Sequence, residues 1–205
     1  MDSGGISIFI SANPQEVSMS EYKIPDGHEL RIAISGKSGC GNTTVSTLLS
    51  KILGIKLINF TFRQLAQEKG LTLAQVIENA KTDDSYDIAV DTRQVELARA
   101  ESCILGSRLA IWMLKEADLK VYLGASDDVR AKRILNREGG NLDEIKAFTE
   151  MRDREDSRRY KKLYDIDNND ISFVDLNIDT AQYTPDQISE IILEKAAGKG
   201  LLEKL

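Results

Sequence analysis

The sequence predicts an α/β fold: a parallel sheet of about five strands with helices covering both faces. Three observations lead there. Short apolar runs alternate with amphipathic helical patterns along most of the chain. A glycine-rich turn joins the first strong apolar run to the first strong helix. Hydrophobic residues fill 41% of 205 positions, enough for one sizeable core.

Taken in order, residues 1–29 read as an N-terminal extension. It has turn signals at Gly4-Gly5, Asn13-Pro14 and Pro25-Asp26-Gly27, and a short strand or hairpin around Ile6–Ile10. The single histidine, His28, falls here and is expected at the surface. The main domain then spans 30–205. Leu30–Ser35 reads as a buried strand. Thr43–Leu53 carries Val45, Leu48, Leu49 and Ile52 at helical spacing, and Gly54 suits the helix end. Ile55–Phe60 is a second strand. Helical patterns cover 61–69, 73–80 and 85–100. Cys103–Leu105 and Leu119–Leu123 are strand cores, and Asp127–Arg137 and Leu142–Leu163 are helices. Ile171–Ile178 returns to strand character, and Pro185–Ala197 closes with a helix. Strands separated by helices favour parallel pairing with crossovers.

Composition removes several classes of function. No apolar run approaches the roughly 18 residues of a membrane span. The opening MDSGGISIFISANPQ lacks the basic stretch of a secretory signal. Two cysteines, Cys40 and Cys103, imply no disulfide framework, so a cytoplasmic location is expected. A net charge of −6 argues against a nucleic-acid partner. The positive charge is nevertheless concentrated: seven of the twelve arginines lie between Arg130 and Arg159. Such a run is either a solvated helix face with internal ion pairs or a local anion site.

The segment Gly36-Lys37-Ser38-Gly39-Cys40-Gly41-Asn42-Thr43-Thr44 has the frame G-x-x-x-x-G-x-T, between a strand and a helix. In that setting glycine lets loop amides turn inward toward phosphate oxygens, and the helix N-terminus adds partial positive charge. The Thr43 hydroxyl is placed to reach a magnesium ion bridging two phosphates. The consensus lysine position holds Asn42, a neutral donor. A neutral hydrogen bond is worth about 1 kcal/mol, against roughly 1.5–3 for a charged one. Either the loop holds phosphate more weakly, or the missing cation comes from Lys37 or the arginine-rich segment.

With this loop in view, the chain from about Leu30 to Ala197 resembles the archaeal-type cytidylate kinases, nucleoside monophosphate kinases of P-loop NTPase fold. Gly39–Thr44 (GCGNTT) is similar to that family's GSGTTT-like loop, in which the lysine is replaced. Phe62–Gly70 resembles its FRELAxExG helix, Ser107–Met113 its SRLAGWM and Ala117–Leu123 its ADLKIYL. Val129–Gly139 resembles VRAERIxxREG, and Arg159–Asp167 resembles RYxxYYGID.

The resemblance implies an enzyme using ATP and Mg²⁺ to phosphorylate CMP or dCMP. It implies a helical acceptor insert at about 61–100 and a lid at about 133–160. Arg63 and Arg108 would grip the acceptor phosphate, and Arg93 would face the base. Arg130, Arg133 and Arg137 share one helical face, as do Arg152 and Arg159. These two stripes flank Glu138-Gly139-Gly140-Asn141, whose glycines could hinge a lid. Arg133, Arg152 and Arg159 are expected on phosphate, with Asn42 and Arg108 completing the catalytic set. Arg154 and Arg158 are expected to pair with Glu150, Glu155 or Asp156.

Two departures from the family stand out. Gly106 replaces an acidic residue before the Ser-Arg-Leu-Ala segment, which leaves Asp91 or another carboxylate to compensate or leaves activity reduced. The stretch before the Phe62 helix is also shortened, which bears on base choice and leaves Asn59 and Thr61 as candidate base or ribose contacts. The alternative reading is a nucleotide-binding protein that has lost transfer activity and serves as a sensor or partner module. The chain is expected to be a monomer acting on small molecules.

Overall fold

The computed structural model describes residues 21–205, so the strand or hairpin expected around 6–10 lies outside the described residues. The elements run β1 (Tyr22–Lys23), β2 (Arg31–Gly36), α1 (Asn42–Leu53), β3 (Lys56–Ile58), α2 (Phe62–Lys69), α3 (Leu73–Ala80), α4 (Ser85–Arg99) and β4 (Cys103–Gly106). They continue α5 (Ala110–Met113), β5 (Leu119–Gly124), α6 (Asp127–Glu138), α7 (Leu142–Tyr164), β6 (Leu176–Asp179), α8 (Pro185–Gly198) and β7 (Glu203–Lys204).

Five strands form one parallel sheet in the order β3-β4-β2-β5-β6. Side chains alternate across a strand, so each strand feeds two layers. Ile32 and Ile34 of β2, Ile104 of β4 and Leu119, Val121 and Leu123 of β5 join the core under α1 and α8. Ala33, Leu105 and Cys103 face the opposite layer, with Ala110, Ile111 and Leu114 around α5. The unbroken apolar run Ile32–Ile34, buried at every position, is what a strand covered on both faces requires, while Arg31 before it stays partly exposed. A third, smaller cluster of Phe60, Leu65, Ala66, Val76 and Val90 binds α2, α3 and α4 together.

Several boundaries were written locally. Thr61/Gln64, Thr72/Gln75 and Thr184/Gln187 form capping boxes at the starts of α2, α3 and α8. Asn141 Oδ1 accepts from the Asp143 and Glu144 amides and starts α7.

Three differences from the sequence reading have physical reasons. The expected strand Ile171–Ile178 is paired only at Leu176–Asp179. Asp170 captures the Ser172 amide and hydroxyl, which diverts the backbone into a turn. The Ile55–Phe60 strand shrinks to Lys56–Ile58, because Phe60 turns into the cluster of α2–α4. The segment expected to be peripheral, residues 1–29, includes Tyr22, which is buried in the main core. Its hydroxyl donates to Glu190 Oε1 at 2.7 Å, and β1 pairs antiparallel with β7. His28 is exposed, as expected.

Candidate active site

β2 lies between β4 and β5, so chain connections leave its carboxyl end in opposite directions and open a crevice there. The loop Gly36–Gly41 occupies that crevice. Its glycines serve different needs. A Cβ on Gly36 would sit 2.6 Å from the Leu123 carbonyl oxygen of β5, so the loop leaves the sheet where only hydrogen fits. Gly39 has φ +84°, and a Cβ there would meet the Arg130 carbonyl oxygen at 2.9 Å. Gly41, at φ +89°, precedes α1, and no side chain caps the helix. The first-turn amides of α1 therefore open onto the cleft. Cys40 contributes only its backbone, because burial pushes its thiol pKa up and keeps it inert.

The cleft holds about 860 Å³. All nine residues from Gly36 to Thr44 line it, as do Arg108, Arg133, Arg137, Arg152 and Arg159. The expected loop, Arg108 and the lid arginines are thus brought together. Asn59, Phe60, Thr61, Phe62, Asp87, Val90, Asp91 and Gln94 form the opposite wall.

The arginines are held in different ways. Arg108 donates to Ser38 Oγ at 2.8 Å and pairs with Asp156 at 2.5 Å. Arg159 pairs with Asp87 at 2.7 Å and with the same Asp156 at 3.2 Å, while its buried Nε has no partner. Arg133 donates to the carbonyls of Gly39 at 3.2 Å and Thr180 at 2.7 Å. Arg152 is the one cleft arginine without an ion pair or hydrogen bond among the described residues. Partial burial lowers its pKa most, and the neighbouring Arg108 charge lowers it further. Arg154 and Arg158 lie outside, paired with Glu150 at 3.9 Å and Glu155 at 3.2 Å.

Two expected contacts are not brought to the cleft. Arg93 pairs at the surface with Glu68 at 3.4 Å and Glu96 at 3.2 Å. The cleft face of α4 is Asp87, Val90, Asp91 and Gln94, spaced three and four apart, and Arg93 falls off that stripe. Arg63 is exposed on the first turn of α2, where Phe62 lines the cleft instead.

On the acidic side of the site sequence reasoning named Asp91 but missed Asp87 and the place of Asp156 between Arg108 and Arg159. Burial raises Asp87, and it raises Asp91 to about 6, while Tyr164 Oη donates to Asp91 at 2.8 Å. Sequence reasoning placed Arg130 on a stripe with Arg133 and Arg137 but missed its burial, at 1% exposed. That guanidinium donates to the Ser38 carbonyl at 2.8 Å and grips both Asp153 oxygens at 2.7 and 3.0 Å. Asp153 also lies 3.6 Å from Lys37, which draws the loop lysine toward α7. The three-and-four spacing at 87, 90, 91 and 94, and at 152, 156 and 159, was the available signal.

Among the described residues, no group of three or more His, Cys, Asp or Glu is arranged to hold a metal. The donors present fit magnesium of a particular kind. Thr43 lines the cleft, and magnesium that keeps water and takes phosphate oxygens needs few protein ligands. No helix among the described residues is long and apolar enough to cross a membrane.

A cleft floored by main-chain amides and rimmed by guanidinium groups is built for several phosphates at once, and the fold that carries it is that of the P-loop kinases. Within that class the chain belongs to the cytidylate kinase-like family, whose model matches residues 31–182. It is 41% identical over 176 residues to cytidylate kinase 2 of Borreliella burgdorferi, covering 84% of this chain and 98% of that protein. Cytidylate kinase of Pyrococcus abyssi is 41% identical over 180 residues, covering 86% and 97%. Among solved structures, shikimate kinase from Acinetobacter baumannii in complex with shikimate has a TM-score of 0.58 at 18% identity, covering 84% of this chain and 96% of that one. Deoxyadenosine kinase from M. mycoides with bound dATP has a TM-score of 0.51 at 16% identity, covering 82% and 100%. At such identities these likenesses speak for the fold alone.

Proposed function

We propose that the protein is a cytidylate kinase that transfers the γ-phosphoryl group of ATP to CMP or dCMP, giving ADP and CDP or dCDP. Family membership at about 41% identity to proteins of that name supports the reaction. The observation that carries the site is the convergence of Gly36–Thr44 with Arg108, Arg133, Arg152 and Arg159 on one cleft.

In this reading the loop amides hold the β- and γ-phosphates of ATP. Thr43 Oγ1 would hold magnesium with phosphate oxygens and water, and bound magnesium screens phosphate charge. Arg108 takes the acceptor phosphate, exchanging Asp156 for it. Arg159, whose Nε lacks a partner, and Arg152 meet the charge developing on the transferred group. Arg133 holds the loop carbonyls of the donor side, and Asn42 donates a neutral hydrogen bond. There is no covalent step for the protein to perform, so rate comes from in-line positioning and electrostatic stabilisation. The wall from α4, with Asp87 and Asp91, and Asn59–Thr61 would border the base and ribose. Residues 61–100 form the acceptor insert. Residues 133–160 form a lid that turns on Gly139 and Gly140, with φ +74° and +104°. In this reading the enzyme works in the cytoplasm as a monomer on small molecules, without nucleic acid; two buried free cysteines support the location and the net charge of −6 supports the last point.

A coupled ADP-release assay across CMP, dCMP, UMP, AMP and GMP tests the proposal. The expected result is a preference for CMP or dCMP by at least about tenfold in kcat/KM, or roughly 1.4 kcal/mol. An equal response to all five acceptors refutes it.

A further inference from the structure

The lysine position of the loop carries Asn42, the first residue of α1. One helical turn later, Ser46 is 1% exposed, and its Oγ donates to Asn42 Oδ1 at 3.1 Å. The Asn42 amide thus has its acceptor end taken by the protein. Its donor end, Nδ2, has no partner among the described residues, and Asn42 lines the cleft. An asparagine amide can rotate to present either oxygen or nitrogen. With an anionic phosphate in the loop, only the orientation with nitrogen outward satisfies both ends. Ser46 hydrogen-bonds the oxygen in that orientation. In the reverse orientation a carbonyl oxygen would face phosphate oxygens.

Ser46 is in turn admitted by Gly106. A Cβ at Gly106 would lie 2.6 Å from Ser46 Oγ, 3.0 Å from Ser46 Cβ and 3.5 Å from Asn42 Oδ1. Any larger residue at the end of β4 would push the serine, and with it the asparagine, out of place. Asn42, Ser46 and Gly106 therefore form one packed unit beneath the loop.

We propose that Ser46 is a positioning residue that holds the Asn42 amide as a fixed donor to the terminal phosphoryl oxygens of the bound nucleoside triphosphate, with Gly106 as the space that admits it. The role rests on the kinase reading above. A fixed neutral donor replaces the mobile charged lysine. Its worth lies in not having to reorganise when charge develops on the phosphoryl group.

The test is a double-mutant cycle on the full chain. Ser46→Ala removes only a hydroxyl and leaves the packing space filled. It is expected to lower kcat about tenfold while leaving the KM for CMP and the melting temperature nearly unchanged. In the Asn42→Ala background the same change is expected to have no further effect on kcat. Equal losses in both backgrounds, or wild-type kcat in Ser46→Ala, overturn the proposal. A second readout works even if no acceptor is phosphorylated. The Asn42 side-chain NH₂ resonances are expected to shift on adding a non-hydrolysable ATP analogue to the wild type, and to broaden or stay put in Ser46→Ala. Absence of turnover with a shifted, Ser46-dependent amide would sink the kinase reading alone. An amide indifferent to the analogue in the wild type sinks this one.

Discussion

Arg130 and Arg108 both reach Ser38, one through its carbonyl and the other through its hydroxyl, yet they do opposite work. Arg130 is 1% exposed and saturated by Asp127, Asp153 and the loop backbone. Arg108 has a side chain 28% exposed and shares Asp156 with Arg159, whose side chain is 34% exposed. A buried guanidinium with a bidentate partner cannot release it without leaving a bare charge. A guanidinium about a third exposed that shares one carboxylate can exchange it for a ligand phosphate at lower cost. Burial, not residue type, separates the strut from the proposed ligand contact.

Arg130→Ala should break this comparison most visibly. It strips Asp153 of its bidentate partner and leaves only Lys37, 3.6 Å away, beneath the loop, so the expected loss is about 3 kcal/mol of stability. Urea denaturation checks it. A loss under about 1 kcal/mol would mean that Arg130 is no strut. Arg108→Ala should lower kcat by about 10² and weaken acceptor binding, with the denaturation midpoint nearly unchanged. Steady-state kinetics paired with a melt separates the two arginines; a melt that collapses with activity would make them alike.

Asp91 sharpens the contrast on the acidic side. Burial holds its carboxyl at about 6, against an ordinary value of 3.8. The folded state therefore binds this proton more tightly than the unfolded chain. The stability from that proton is fully present below the unfolded value and is lost as pH rises through about 6. Asp91→Asn abolishes the titration but keeps a partner for Tyr164. Its melting temperature should fall less than that of the wild type between about pH 4 and pH 7. Parallel profiles would remove Asp91 as a buried carboxyl. The smallest effect is expected at Arg93, which is exposed and paired only with surface glutamates. Arg93→Ala should change kcat/KM by less than about twofold and stability by less than about 1 kcal/mol. A tenfold loss of kcat/KM would place Arg93 at the acceptor after all.

Much of this arrangement was legible in the chain. Ile32–Ile34 is apolar throughout because its strand is covered on both faces. The threonine–glutamine capping pairs announce α2, α3 and α8, and the glycine frame announces the loop. The arginine set was legible as a cluster. Its division into strut, contact and surface residues was not, since Arg93 is excluded by the face of α4 that happens to meet the cleft. The β1–β7 pair escaped notice because two-residue strands carry no periodicity.

What the sequence alone determined are features whose causes act within a turn or two of chain: strand and helix identity, caps, and glycines at a tight loop. Only the tertiary structure decided which charges meet. Arg108 finds Asp156 across 48 residues and Ser38 across 70, and Gly106 of β4 makes room for Ser46 of α1. Local propensity carries no information about such partners. They are selected by the close packing of the sheet and its helices, which brings distant side chains within an ångström of their limits.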